Sequence, residues 1–423
     1  MRIGLYCPAE TGHLNTMLPI GEALLQRGHQ VIFIGLEDAK DKVEAIEGID
    51  FFPVATEKFP QGSTPAIFKT LGELKGMSAL IYTVKTFRDI AEAILQDGAE
   101  SCKSLHLDGM VVDQSTSEGV AIAKYLDLPY VTVCSALPFD TEAATPPVFT
   151  TWTYQNTLLG KLRNILVHKL IAAPFGAIVQ APIKKFLKKY KIAIPKSFNS
   201  PLAIICQQPK SFEFPRRNLP QNFYFTGPYH TTTSRKQIDF PWDQLNVKPL
   251  IYASMGTLQN RLGDVFQKIA AACASLDVQL VISLGGSANP EDIPRLPGNP
   301  LVVSYAPQIE LLKQAQLTIT HAGMNTTLES LTQGVPMVAI PVTNDQPGIA
   351  ARIKWSGVGE FITLDQLTTE KLHQTIKTVL NDSTYQERAK QSQQEICRSG
   401  GTSQAVDIIE MAIATRAMVI APS

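Results

Sequence analysis

Cysteine is scarce and unpaired in this 423-residue sequence: Cys7, Cys102, Cys134, Cys206, Cys273 and Cys397 are scattered, with no CxxC among them. Cys7, Cys134, Cys206 and Cys273 sit in apolar stretches. That speaks against a disulfide frame or a zinc site and for reduced thiols in a cytoplasmic protein. "MRIGLYCP" lacks the basic region and long apolar core of a signal peptide. No run of about 18 apolar residues occurs, so no membrane-spanning segment is expected. The formal net charge is zero, so nothing global points to a nucleic-acid partner. No low-complexity segment or tandem repeat is visible. One absence is local: residues 143–212 contain no Asp or Glu but ten Lys or Arg. Leu158, Leu159, Leu162, Ile165, Leu166, Leu170 and Ile171 interleave with the basic residues of this segment. Charge runs are usually solvated helical faces; the alternative is an amphipathic surface that touches anionic lipid in a peripherally membrane-associated protein.

What is present is alternation. "RIGLYC" (Arg2 to Cys7) reads as a short buried strand, "HLNTMLPIGEALLQRGH" carries apolar residues at helical spacing with Gly28 as its stop, and "QVIFIG" is a further strand. "GMVVD" (Gly109 to Asp113) and "YVTVCS" (Tyr130 to Ser135) are strands around a helix at Ser117 to Leu126. A Pro-, Gly-, Thr- and Ser-rich stretch follows near Tyr229 to Phe240, and the pattern then restarts with "LIYASM". Apolar strands alternating with helices imply α/β architecture with parallel sheets covered on both faces. The length suits two domains: residues 1–232, residues 233–400, and a last helix in 401–423.

In open parallel sheets, ligands bind at the carboxyl ends of the strands. "LTITH" ends in His321 at such an edge, and Gly323 lets a ligand approach the backbone. The helix start at Asn325 and Thr326 offers free N–H groups for phosphate, and Glu329, one turn on, can accept two ribose hydroxyls. Taken alone, this turn is equally well a capped helix start beside a strand-end histidine. Other strand exits add Tyr305 and Gln308 in "YAPQIELL", Asp345 and Gln346 in "TNDQPG", and the small-residue turn "ASMGTL" with Ser254 and Thr257.

The stretch from "YAPQ" through "THAGMNTTLES" to "NDQ" resembles the nucleotide-sugar box of the glycosyltransferase family that includes plant secondary-product and animal UDP-glucuronosyl enzymes. The resemblance implies the GT-B fold: two Rossmann-like domains facing a cleft, with the C-terminal helix returning to the N-terminal domain. It implies that Tyr305 stacks uracil, where plant members have Trp, and that Gln308 flanks the base. His321, the amides after Gly323, Asn325 and Thr326 would meet the phosphates, with Ser254 and Thr257 on the phosphate side. Glu329 would hold ribose, and Asp345 and Gln346 the sugar, with Gln346 suiting glucose. Met324 also replaces a plant Trp, which leaves the donor class unaffected but loosens the choice of base and sugar.

"PAETGHLNTMLP" places Gly12, His13 and Asn15 in the loop after the first strand, and Asp113 ends another strand at the same sheet edge. Alone, each is as readily a capping residue. Together they can form a base and its orienting carboxylate, in the manner of a Ser-His-Asp triad with the acceptor as nucleophile. The family's "GHLNP" carries the catalytic base, and here Thr16 replaces the Pro. No DxD occurs, so no metal or other cofactor is expected; the UDP-sugar is a co-substrate. The implied reaction is inverting transfer of a hexose, UDP-glucose being the expected donor. From Met1 to about Ser403 the chain is similar to bacterial zeaxanthin- or sterol-type glucosyltransferases. With the aromatic, apolar segment Thr145 to Asn164, that suggests a lipophilic hydroxylated acceptor. A flavonoid, polyketide or other aromatic alcohol stays open, and a UDP-amino-sugar epimerase or a non-catalytic nucleotide-sugar binder is the reading from another class.

Overall fold

The structure, a computed structural model, describes residues 1–74, 76–139, 141–229, 238–256, 263–286 and 288–421. The expected boundary at 232/233 and Thr257 lie outside these residues. Among the described residues the strands form two sheets. The first contains β1 (Arg2–Tyr6), β2 (Gln30–Gly35), β3 (Ile49–Pro53), β4 (Gly109–Asp113), β5 (Tyr130–Cys134), β6 (Ile204–Cys206) and β7 (Phe223–Phe225), in the order β3-β2-β1-β4-β5-β6-β7. The second contains β8 (Leu250–Ser254), β9 (Gln279–Ser283), β10 (Leu301–Val303), β11 (Ala315–Thr320), β12 (Met337–Ala339) and β13 (Gly359–Phe361), in the order β10-β9-β8-β11-β12-β13. Every pairing in both sheets is parallel.

Both faces of the first sheet are buried, which is why its strands read as apolar runs without alternation. Ile3, Leu5, Val31, Phe33 and Val111 share one core with Leu14, Met17 and Ile20 of the first helix, Thr11–Gln26. Ile32, Ile34, Met110 and Val112 face the opposite core, against Ile94 of the helix Gly76–Ser101 and Val120 of the helix Ser117–Tyr125. The register Leu5 to Phe33 and Leu5 to Val111 lines these side chains up across neighbouring strands.

The last helix, Gly401–Thr415, returns to the first sheet as expected: Ala405, Val406, Ile409, Ala412 and Ile413 complete the core under β1. Its outer side is tied to the first helix region by Arg27, which meets Asp407 at 2.5 Å and Glu410 at 2.8 Å.

In each sheet the strand order reverses once, between β1 and β4 and between β8 and β11. Loops leaving the two central strands diverge there and open a crevice. The folding pattern thus brings the loops after β1 and β4, and those after β8 and β11, to the two places where a ligand fits.

The middle of the acid-free segment forms one long helix, Leu158–Lys189, which widens to π geometry over His168–Ala172. Against the expectation of no spanning segment, it is, among the described residues, a helix long and apolar enough by length and composition to cross a bilayer. Lysines interrupt its apolar stretches, so no continuous run betrays it in the sequence.

Candidate active site

His13 does not lie in a loop, as its sequence context suggests, but in the first turn of the helix Thr11–Gln26. Its Nδ1 sits 2.9 Å from Oδ2 of Asp113, the last residue of β4. Ser135, one residue past β5, completes the group: its Oγ is 2.7 Å from His13 Nδ1 and hydrogen-bonds Asp113 Oδ2. The other Asp113 oxygen accepts from the Ser115 amide at 2.8 Å and the Ser115 hydroxyl at 2.6 Å.

Burial alone would favour the neutral forms of both partners. It pulls the His13 imidazole down, but the Asp113 charge and hydrogen bond, helped by Glu10 and Asp345, override it and raise His13 to about 9. Burial likewise pushes Asp113 up, yet His13 and the Ser115 and Ser135 hydrogen bonds hold it below the ordinary carboxylate range. With Nδ1 turned to the carboxylate, Nε2 is the outward atom, 3.9 Å from Glu10 Oε2.

A pocket opens beside this group, with Glu10 and Ser115 in its wall. The rest of the wall is mostly apolar, including Ile67, Phe68, Phe87, Ile90 and Ile94. One polar exception is Glu118, which accepts from Tyr6 Oη at 3.2 Å and which burial pushes up to about 7. A mostly apolar wall with a few convergent polar groups is the chemistry of a small-molecule site. The segment Thr145 to Asn164, expected to shape acceptor choice, does not line it. That segment bridges the two halves instead: Val148 O accepts from Gly348 N at 2.9 Å, and Tyr154 packs edge-on against Trp355.

Across the cleft, His321 follows β11 and is enclosed by two glycines. A Cβ on Gly256 would stand 2.7 Å from His321 Cε1 and Nε2, and one on Gly323 2.4 Å from Nε2. Gly256 also has φ +78, a conformation glycine alone adopts without strain. Burial drives His321 down to about 4 against the opposing Ser254 backbone, so the ring is a neutral hydrogen-bonding group at physiological pH. Ser254 ends β8 beside it and is buried. The helix Met324–Thr332 starts from Gly323 with no side-chain cap, leaving its first amides free for an anion.

Tyr305 is half-exposed, at 52%. Its ring covers Gly286, where a Cβ would lie 2.2 Å from Cζ. One side therefore rests on backbone, and the ring is placed as a stacking platform. Gln308 takes a hydrogen bond from Tyr252 Oη at 2.9 Å, and its amide donates to Glu329 Oε2 at 2.5 Å and to Thr326 Oγ1 at 3.4 Å. The Gln346 carbonyl oxygen accepts from the Val342 and Thr343 amides at 2.9 and 3.0 Å and so shapes the loop after β12.

Two expected donor residues reach into the opposite half. Asn325 Nδ2 donates to Gly12 O at 2.8 Å, while its Oδ1 lies 3.3 Å from Gln207 Nε2 and 3.4 Å from Thr16 Oγ1. Asp345 Oδ2 accepts from the Leu137 amide at 3.1 Å. Behind them Arg352, fully buried, bonds Glu213 at 2.9 Å through Nε and 2.5 Å through Nη2. Ser135 had a readable signal: β5 pairs Val133 with Asp113, so a residue two positions later leaves the same sheet edge. The Glu213–Arg352 pair, 139 residues apart in the chain, had none.

The UDP-glucoronosyl and UDP-glucosyl transferase family matches the chain over residues 4–393. The zeaxanthin glucosyltransferase of Pantoea ananas is 29% identical over 429 residues, covering 98% of this chain and 97% of that protein. The zeaxanthin glucosyltransferase of Pseudescherichia vulneris is 28% identical, covering 97% of both. The solved glycotransferase of kitacinnamycin superposes with a TM-score of 0.74 at 21% identity, over 97% of this chain and 98% of that one. With the two facing Rossmann-like sheets of the GT-B fold, this chain belongs to the UDP-glucoronosyl and UDP-glucosyl transferase family and is a glycosyltransferase.

Proposed function

We propose that the protein is an inverting UDP-sugar-dependent hexosyltransferase, using UDP-glucose and a hydroxyl of a lipophilic small molecule of carotenoid or sterol type. The observation that carries this reading is a partly buried His-Asp-Ser group beside a largely apolar pocket walled by its neighbours Glu10 and Ser115. In it, His13 Nε2 takes the proton of the acceptor hydroxyl, and Asp113 and Ser135 fix the ring and stabilise the imidazolium. The acceptor oxygen forms its bond to the anomeric carbon as the bond to the diphosphate oxygen breaks from the opposite face. UDP departs and an α-linked donor becomes a β-glycoside.

The leaving diphosphate is met by His321, the free amides at Met324–Thr332, Ser254 and Thr326. Tyr305 carries the base with Gln308 at its edge, Glu329 accepts from the ribose, and Asp345 and Gln346 hold the sugar. Asp345 and Asn325 now bond across the cleft, so donor entry exchanges those bonds for donor contacts. No step uses a metal. The protein would work in the cytoplasm with a peripheral membrane contact. The two relatives named for zeaxanthin support the acceptor class; a flavonoid, polyketide or other aromatic alcohol is the second reading.

UDP release from UDP-glucose, measured with dihydroxycarotenoids, sterols and aromatic alcohols, tests the proposal. Turnover with the first two and none with His13→Ala is expected. Turnover only with aromatic alcohols replaces the acceptor. UDP binding with no turnover on any alcohol would favour a binder, and sugar isomerisation without acceptor an epimerase.

A further inference from the structure

The helix Leu158–Lys189 carries an apolar stripe that no other part of the described residues covers. Leu158, Leu162, Leu166 and Leu170 recur at every fourth position, the row of neighbouring side chains on a helix surface, and Leu158 is 87%, Leu162 63% and Leu170 66% exposed. Leu159, 80% exposed, widens the stripe. From Leu158 to Leu170 it runs about 18 Å. This is the area that a soluble surface normally hides.

The other side of the same helix is anchored in protein. Gly160 and Asn164 are buried, and Asn164 Nδ2 donates to Ala143 O at 3.0 Å. Farther on, Ile183 and Leu187 are buried in the core shared with the helix Gly76–Ser101. A helix so pinned lies along a surface; it cannot turn to span one. Its charge says which surface. Lys161 and Lys169 flank the stripe, Lys184, Lys185, Lys188 and Lys189 crowd its end, and no carboxylate occurs from 143 to 212. A second copy of the chain docked here would bring lysines against lysines, whereas anionic headgroups complement them.

The position adds a purpose. Val179, on this helix, lines the cavity beside His13, as does Phe87, itself 42% exposed. We propose that the Leu158–Leu170 face docks in the headgroup layer of an anionic bilayer and hands an apolar acceptor from the lipid to the cavity. The hand-over rests on the lipophilic-acceptor reading; the docking does not.

The test is flotation of the full chain with phosphatidylcholine vesicles, with and without phosphatidylglycerol. Binding to the anionic vesicles and release by high salt are expected. The quadruple change Leu158→Ser, Leu159→Ser, Leu162→Ser, Leu170→Ser should cut the bound fraction about tenfold or more. Changing Lys184, Lys185, Lys188 and Lys189 to Gln should weaken binding to anionic vesicles only. Both variants alter exposed or flanking positions, and an unchanged melting temperature verifies their fold. Failure to float, salt-insensitive binding equal on both vesicles, resistance to alkaline extraction, or a dimer dissolved by the Leu-to-Ser change would each overturn the docking face. Vesicle binding by a protein that glycosylates no apolar alcohol keeps the docking face and overturns the hand-over and the acceptor class.

Discussion

Replacing Asp113 by Asn keeps the shape of the His13 partner and removes its charge. The imidazole stands at about 9 because Asp113 outweighs burial. Without that charge, burial returns it to its ordinary value near 6.5 or below. The fall of about 2.5 units corresponds to about 3 kcal/mol of lost preference for the imidazolium, the species that forms as the acceptor proton is taken. In the intact protein about one hundredth of His13 is neutral at pH 7, so kcat/KM should climb with pH toward 9.

In Asp113→Asn the rise should instead end near pH 6.5, and the plateau should fall about 10²- to 10⁴-fold, since the base is weaker and its tautomer no longer fixed. Stability gives an independent reading. The folded value of His13 is raised, so its contribution is full below about 6.5 and disappears as pH rises through about 9. Asp113 is depressed, so its contribution is lost in acid. The melting temperature of the intact protein should therefore drop between pH 6.5 and 9 by more than that of Asp113→Asn. A pH-rate limb still ending near 9 in the variant, with an unreduced plateau, would refute the pairing.

Other substitutions test separate parts. Ser135→Ala removes the hydroxyl that meets both His13 and Asp113, and kcat should fall about tenfold with donor KM unchanged in steady-state kinetics. Gly323→Ala drives a methyl into His321, and calorimetric titration should show UDP affinity about a hundredfold weaker. Arg352→Met removes two charge-assisted hydrogen bonds from buried Glu213, which keeps only Arg216 at 3.5 Å as its cation, and should lose about 2–3 kcal/mol in denaturant unfolding. Ile409→Ala, at a fully buried position, should lose about 2–5 kcal/mol in the same measurement.

The architecture was readable because parallel strands buried on both faces leave apolar runs, and β1, β4, β5, β8 and β11 all show them. The brief strands β6 and β7 do not, since three residues among prolines carry no pattern. The turn proposed for the donor was readable for the same reason as the strands: His321, Gly323 and Glu329 are close in the chain and set by local geometry. His13 and Asp113 could be joined because both leave the carboxyl edge of one sheet. What stayed hidden depends on how the halves approach. Nothing local says that Asn325 reaches Gly12, that Asp345 takes the Leu137 amide, or that residues 145–164 serve the contact between halves and not the cavity.

The helix Gly401–Thr415 also sets an order of events during synthesis. Chains generally fold domain by domain from the N-terminus as they are made. Here the first sheet to emerge lacks part of its core until residues 401–415 arrive, because Val406, Ile409 and Ile413 fill the floor beneath β1. A nascent chain stalled anywhere in the second half therefore presents Ile3, Leu5 and Val111 incompletely covered. Deleting the final helix would unsettle the sheet that bears His13, some 390 residues away in the chain, before the sheet that immediately precedes it.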